Sequence, residues 1–316
     1  MKCVKIKPRT FTAMDSIFLL FICLGIGVAL QYVKAFPANS HVALNQFVIY
    51  ISLPALALFY IPKIEISTEL LFPLGIAWVG FLLSWAFFAT LAKIFRWSKK
   101  LTGCLILLGG LGNTSFVGFP IIEALYGKQG LQTAIIVDQP GSFMVMATLG
   151  IIVAALYSRG TPNASDIVRK IAFFPPFAAF VVAIGMNILK FDFSEILQPV
   201  FQKLGATVSP IALVAVGLQL KIGERSRHWS FLTLGLFFKL FLTPLFFFVL
   251  YKLAFAADGQ TVDVSILESG MAPMITASVL ASSHGLKPKL SNMMIGIGIP
   301  LSFVTLGFWY WILGGF

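Results

Sequence analysis

Apolar runs of about 20 residues alternate with short polar breaks along the whole chain, at the length needed to cross the hydrocarbon core of a bilayer as helix. Ten such segments are read, at about 14–34, 41–61, 70–95, 101–126, 129–157, 171–190, 199–221, 229–255, 262–286 and 289–315. Lipid offers no partner for backbone N–H and C=O groups, so each run is expected to be a helix, which satisfies its own. Runs such as LFFKLFLTPLFFFVL are apolar on every side and lack the alternation of a barrel strand. The longest polar stretch, residues 158–170, lies near the middle. The first segment follows the basic stretch MKCVKIKPRT and resembles a secretory signal. No clean A-x-A cleavage site follows it, so it is read as the first span.

Punctuation within the runs repeats. Pro54, in Ser52-Leu53-Pro54-Ala55-Leu56-Ala57, precedes Gly112 by 58 positions; Pro210, in Ser209-Pro210-Ile211-Ala212-Leu213, precedes Gly270 by 60. Gly112 opens GNTSFVGFPIIEALYG and Gly270 opens GMAPMITASVLASSHG, each closing on a glycine 15 positions on. The chain therefore reads as residues 1–157, a linker at 158–170, and residues 171–316, with five helices in each half. Five is odd, so the second half enters the membrane from the opposite side. Such an inverted repeat is a common plan of secondary transporters.

Composition agrees with the pattern: 58% of residues are hydrophobic and 11% charged, against about 25% charged in soluble domains. The net charge of +11 would suggest nucleic acid in a soluble protein. Here the cations cluster between apolar runs, at 93–100, 159–170 and 221–227, so nucleic acid is not the expected partner. Loops after the odd-numbered segments hold 13 Lys and Arg against 5 after the even ones, placing the linker in the cytoplasm and both termini outside. The tail, with Lys2, Lys5, Lys7 and Arg9, weighs the other way. Cys3, Cys23 and Cys104 lack metal or redox spacing, and His41, His228 and His284 fall at loop edges. No cofactor or metal is expected, and no catalytic motif indicates an enzyme.

Candidate chemistry concentrates in two segments. Gly109, Gly110 and Gly112 precede Asn113-Thr114-Ser115, and Pro120 follows; Ser269, Gly270 and Pro273 precede Thr276 and Ser278. Helix breakers flanking polar residues predict an interrupted helix in each, tolerated at membrane depth only inside protein or against a water-filled cavity. Paired interruptions mark a transport site, and a half-helix N-terminus there suits an anion. Ionisable residues inside spans add Glu123, Asp138 beside Gln139, Lys239 and Glu268. Few acidic side chains are expected to compete with an anion at this site. Lys239 would add positive charge, and Asp138 would either carry a proton with the solute or pair permanently with Lys239.

Asn113-Thr114-Ser115-Phe116-Val117-Gly118-Phe119-Pro120 resembles the NTGFLGLP-like signature of the auxin efflux carrier family. Leu53-Pro54-Ala55-Leu56 resembles its LPAL, Glu268-Ser269-Gly270-Met271-Ala272-Pro273 its ESAMPP-type stretch, and Val216-Gly217-Leu218-Gln219-Leu220 its VGLSL. The likeness covers nearly the whole chain. It implies an all-α membrane protein of ten transmembrane helices in two inverted five-helix repeats, with broken, crossing fourth and ninth helices. It also implies efflux or exchange of a small organic anion, such as a carboxylate or an auxin-like acid. Asn113, Pro120 and Pro273 match its crossover positions, and Asp138 falls where relatives place a substrate-contacting polar residue. The expected solute contacts are thus Asn113, Thr114, Ser115, Pro120, Asp138, Gln139, Lys239, Glu268, Gly270 and Pro273. Ala272 departs from the proline of many relatives. The short linker favours a compact bacterial-type permease in the inner membrane. H⁺ or Na⁺ coupling and a homodimer stay open, and a sodium-coupled symporter of the bile-acid type is the alternative.

Overall fold

A computed structural model describes residues 13–37, 39–65, 67–158, 173–219 and 229–314. The N-terminal tail, the basic clusters at 159–170 and 221–227, and His228 lie outside them. Among the described residues the fold is helical throughout, and its one extended pairing is a single antiparallel bridge.

In chain order the helices are α1 Ala13–Leu30, α2 Ser40–Lys63, α3 Thr68–Phe95, α4 Lys99–Gly110 and α5 Thr114–Tyr157. There follow α6 Pro175–Ile188, α7 Gln198–Gln219, α8 Trp229–Ala254, α9 Gln260–Ser269, α10 Ile275–Ser283 and α11 Pro288–Ile312. Among the described residues six of these, α2, α3, α5, α7, α8 and α11, are long and apolar enough to cross a membrane; α1 and α6 are apolar but shorter. The runs at 101–126 and 262–286 do not form single long helices. The first is divided between α4 and the start of α5, the second between α9 and α10, at the interruptions that glycine and proline predict. Residues 114–126 and 129–157 in turn share the helix α5, bent at Gly127, where φ is 64°. That is a conformation only glycine adopts freely.

Chain entry and exit follow local rules. Ser98 caps α4 by accepting from the Leu101 N–H at 3.4 Å, satisfying one of the helix's orphan donors. Proline occupies the first turn of α6 and α11, where its missing N–H has no helical partner to lose.

α1 packs along α7, while α2 packs against α6 and α7. α3 packs against α4, α5 and α9, and α11 against α8 and α10. The groups around α1, α2 and α3 draw helices from both sides of the linker, whereas α8, α10 and α11 all follow it. The α1–α7 contact is backbone to backbone: a Cβ added to Gly27 would meet the Val214 carbonyl oxygen at 2.3 Å, and one added to Gly217 would meet that of Leu24 at 2.4 Å. Without a hydrophobic driving force between helices in lipid, such close small-residue packing is a main source of association. Gln31 Nε2 reinforces it by donating to the Gly217 carbonyl at 2.7 Å.

At the centre every residue from Leu101 to Gly110 is buried, as is every residue from Val264 to Ser269. α4 and α9 are therefore enclosed by protein, as interrupted helices must be.

Candidate functional site

The two interruptions meet. α4 ends at Gly110 and α9 at Ser269, and Gly112 pairs with Pro273 in an antiparallel bridge. The Asn113 N–H donates to the Ala272 carbonyl at 2.7 Å, and the Met274 N–H to the Leu111 carbonyl at 2.9 Å. Backbone groups freed by each break are thus satisfied by the other, which removes the penalty of burying them. Pro273 lies between the two bonds, so its missing N–H costs the pairing nothing. Ala272 enters through its carbonyl alone. Two helices then start away from the pairing, α5 at Thr114 and α10 at Ile275.

The predicted residues gather here, with differences. Asn113 caps α5, its Oδ1 accepting from the Phe116 N–H at 3.2 Å, while its Nδ2 is buried without a hydrogen-bond partner. Thr114 Oγ1 donates to Asp138 Oδ1 at 2.7 Å, and Gln139 Nε2 to Asp138 Oδ2 at 2.9 Å. Gln139 Oε1 has no partner. Asp138 opens a π-helical stretch, Asp138–Phe143, that contains Pro140. Proline denies a hydrogen bond to the carbonyl four residues before it, and one extra residue in the turn absorbs the mismatch, as in π-bulges at functional sites.

Lys239 lies in the matching stretch Phe238–Leu242 of α8, just before Pro244. The Leu240 carbonyl, which Pro244 cannot serve, accepts from Trp309 Nε1 at 3.1 Å. Lys239 is 3% exposed, and its Nζ donates to the Ser269 carbonyl at 3.0 Å. Glu268 is fully buried and neither of its carboxylate oxygens has a hydrogen-bond partner. A Cβ on Gly118 would lie 2.6 Å from one of those oxygens, so this glycine admits the carboxylate against α5. A cavity of about 10 Å³, walled by Gly112, Thr114, Ser142, Lys239, Thr243 and Glu268 among others, has room for about one water molecule.

Two expectations are corrected. Asp138 does not pair with Lys239: among the described residues no carboxylate oxygen comes within 4 Å of the Lys239 nitrogen. Each instead finds neutral partners, a hydroxyl and an amide for Asp138 and a helix-end carbonyl for Lys239. Acidic groups are also not scarce, because the break that frees the helix ends carries Glu268 into the same pocket wall as Lys239. Ser115, Pro120 and Gly270 are buried at the interruptions; Gly270 closes α9, with Pro244 3.2 Å from where its Cβ would be. Glu123 stands apart, accepting from Ser209 Oγ at 2.6 Å beside a second cavity of about 80 Å³ between α2, α5 and α7. Gly118, Ser142, Thr243 and Trp309 were not among the expected solute contacts, Gly118 being quoted only within the signature. The proline that ends FKLFLTP was the available signal for Thr243 and for an outside donor such as Trp309.

Apolar helices enclosing two paired interruptions, with ionisable side chains at the join, define a multi-pass membrane transport protein. The family model described as membrane transport protein, that of the auxin efflux carriers, matches residues 11–165 and 163–310, and the chain belongs to this family. An uncharacterized transporter of Methanocaldococcus jannaschii is 28% identical over 311 residues, spanning 95% of this chain and 98% of its own. One of Methanothermobacter thermautotrophicus is 25% identical over 303 residues, spanning 93% and 96%.

Proposed function

We propose that the protein is a secondary carrier that exports or exchanges a small organic anion, a carboxylate in the first instance, across the cell membrane. The observation that carries this reading is the backbone pairing of the two interruptions beside Asn113, Asp138, Lys239 and Glu268. The unpartnered amide of Asn113 and the ammonium of Lys239 are the donors for a carboxylate, and the starts of α5 and α10 add their positive ends. With Asp138 and Glu268 both ionised, two negative charges face one positive charge and repel the ligand. A proton on one of the two carboxylates leaves one negative charge against one positive, and the anion then meets a neutral site. The carrier is accordingly read as proton-linked, with solute flux rising as pH falls.

The wider architecture belongs to the same proposal: ten spans, residues 1–157 and 171–316 as inverted halves, a cytoplasmic linker at 158–170, and both termini outside. The split of the central runs into α4–α5 and α9–α10 supports it, as does the packing of α1, α2 and α3 against helices of the other half. Neither cavity reaches the roughly 300 Å³ of an ordinary ligand pocket, so solute entry requires the helices around the pairing to shift.

Counterflow of radiolabelled mono- and dicarboxylates in proteoliposomes tests the reading. Exchange should be saturable, and Asn113→Ala should weaken the apparent affinity about tenfold, the order of a lost hydrogen bond to a charged group. Exchange of amines or sugars in place of carboxylates would overturn it.

A further inference from the structure

We propose that the cavity between α2, α5 and α7 is a second ligand site, which holds a small zwitterionic amino acid between Glu123 and Lys128. The site is separate from the paired interruptions and does not depend on what the pairing carries.

The cavity has a volume of about 80 Å³, roughly half that of an apolar cavity that takes benzene, so its occupant is small. Glu123 is half-buried in its wall, with Oε2 accepting from Ser209 Oγ of α7 at 2.6 Å. Lys128, which is exposed, lines the same cavity and marks its mouth. On a straight helix two positions five apart lie about 140° from one another around the axis. The bend at Gly127 falls between them, and both line one space. They do not pair there: among the described residues no Lys128 nitrogen comes within 4 Å of a Glu123 oxygen.

One acid and one base held apart around a cavity complement a molecule that bears both charges. An ammonium beside Glu123 makes a charge-assisted hydrogen bond. Ser209 gives its proton to Glu123, which leaves the lone pairs of its hydroxyl to accept from the same ammonium. Lys128 then meets the ligand's carboxylate, and the half-buried amide of Gln202 supplies a neutral donor from α7. The buried side chains of Leu56, Phe119 and Leu131 form an apolar part of the wall, which suits a short aliphatic side chain. A plain carboxylate would face Glu123 uncompensated, and a plain amine would face Lys128. With the termini outside, as proposed above, the Lys128 end of the cavity opens to the exterior, so the amino acid arrives from outside the cell.

The test follows thermal unfolding of the purified protein in detergent near neutral pH. The probes are L-alanine, D-alanine, sodium propionate and ethylammonium chloride, at equal ionic strength. L-Alanine should raise the midpoint saturably, by about 3 °C at tenfold excess over its dissociation constant. D-Alanine, propionate and ethylammonium should give less than a third of that shift. A rise that is linear in concentration and equal for both enantiomers is solvent exclusion from the protein surface and would count against the site. Glu123→Gln, which keeps an acceptor for Ser209, and Lys128→Gln should each abolish the saturable shift, whereas Asn113→Ala should retain it. The proposal is overturned if L-alanine gives no saturable shift, if propionate or ethylammonium matches it, or if both charge variants keep it. Loss of the shift in Asn113→Ala would place the ligand at the pairing and overturn it too. Should Glu123→Gln fail to fold, Lys128→Gln, altered at an exposed side chain, still decides. A failure of carboxylate exchange would leave these outcomes untouched.

Discussion

Single side chains at the pairing have separable duties. Asp138 is held by Thr114 and Gln139, so Thr114→Val should orient the carboxylate less well and lower carboxylate exchange severalfold. The fold should survive, at a cost of about 1–2 kcal/mol in unfolding free energy for one buried bond to a charged group. Asp138→Asn keeps the shape and removes the proposed proton site. Exchange measured from pH 5 to 8 should lose its rise towards acid, and an unchanged profile would rule out proton linkage through Asp138. These residues were legible because a polar side chain in an apolar run announces itself against its cost. Gly118 was not. A glycine among many glycines gives no sign that a carboxylate from a helix some 150 positions away fits where its side chain would be. The absence of an Asp138–Lys239 bond was equally hidden, since charge complementarity along a sequence says nothing about which helix end lies nearer.

Among the elements, the interruptions themselves were readable, because glycine and proline cost enough in a helix to force a break. What they could not reveal was the pairing, which depends on two segments meeting in antiparallel register. That register discriminates between neighbouring positions. Met274→Pro removes the donor to Leu111 and should cost about 1–3 kcal/mol, the penalty of an orphaned buried carbonyl. Ala272→Pro touches no bond of the pairing and should leave the unfolding midpoint nearly unchanged. The same reasoning applies to α8, where Pro244 frees the Leu240 carbonyl and Trp309 serves it. Trp309→Phe should lower the midpoint by several degrees, whereas Trp311→Phe, on a side chain 63% exposed, should not.

For the molecule as a whole, the membrane class was plain from apolarity and spacing. The tightest contact, α1 on α7, was obscured because its glycines are 190 positions apart. Gly27→Ala places a methyl group into backbone and should sharply reduce the yield of folded protein. Gly25→Ala, with nothing within 4 Å of the new carbon, is the control. The two contacts contrast in kind. Opening the protein between α4–α5 and α9–α10 would strand the N–H of Asn113 and of Met274 and the carbonyls of Ala272 and Leu111 together, four buried groups at once. A solute path created by parting those helices would therefore be opposed at every cycle. On the proposed reading the two interruptions travel together, and any motion that opens a solute path leaves both hydrogen bonds of the pairing intact.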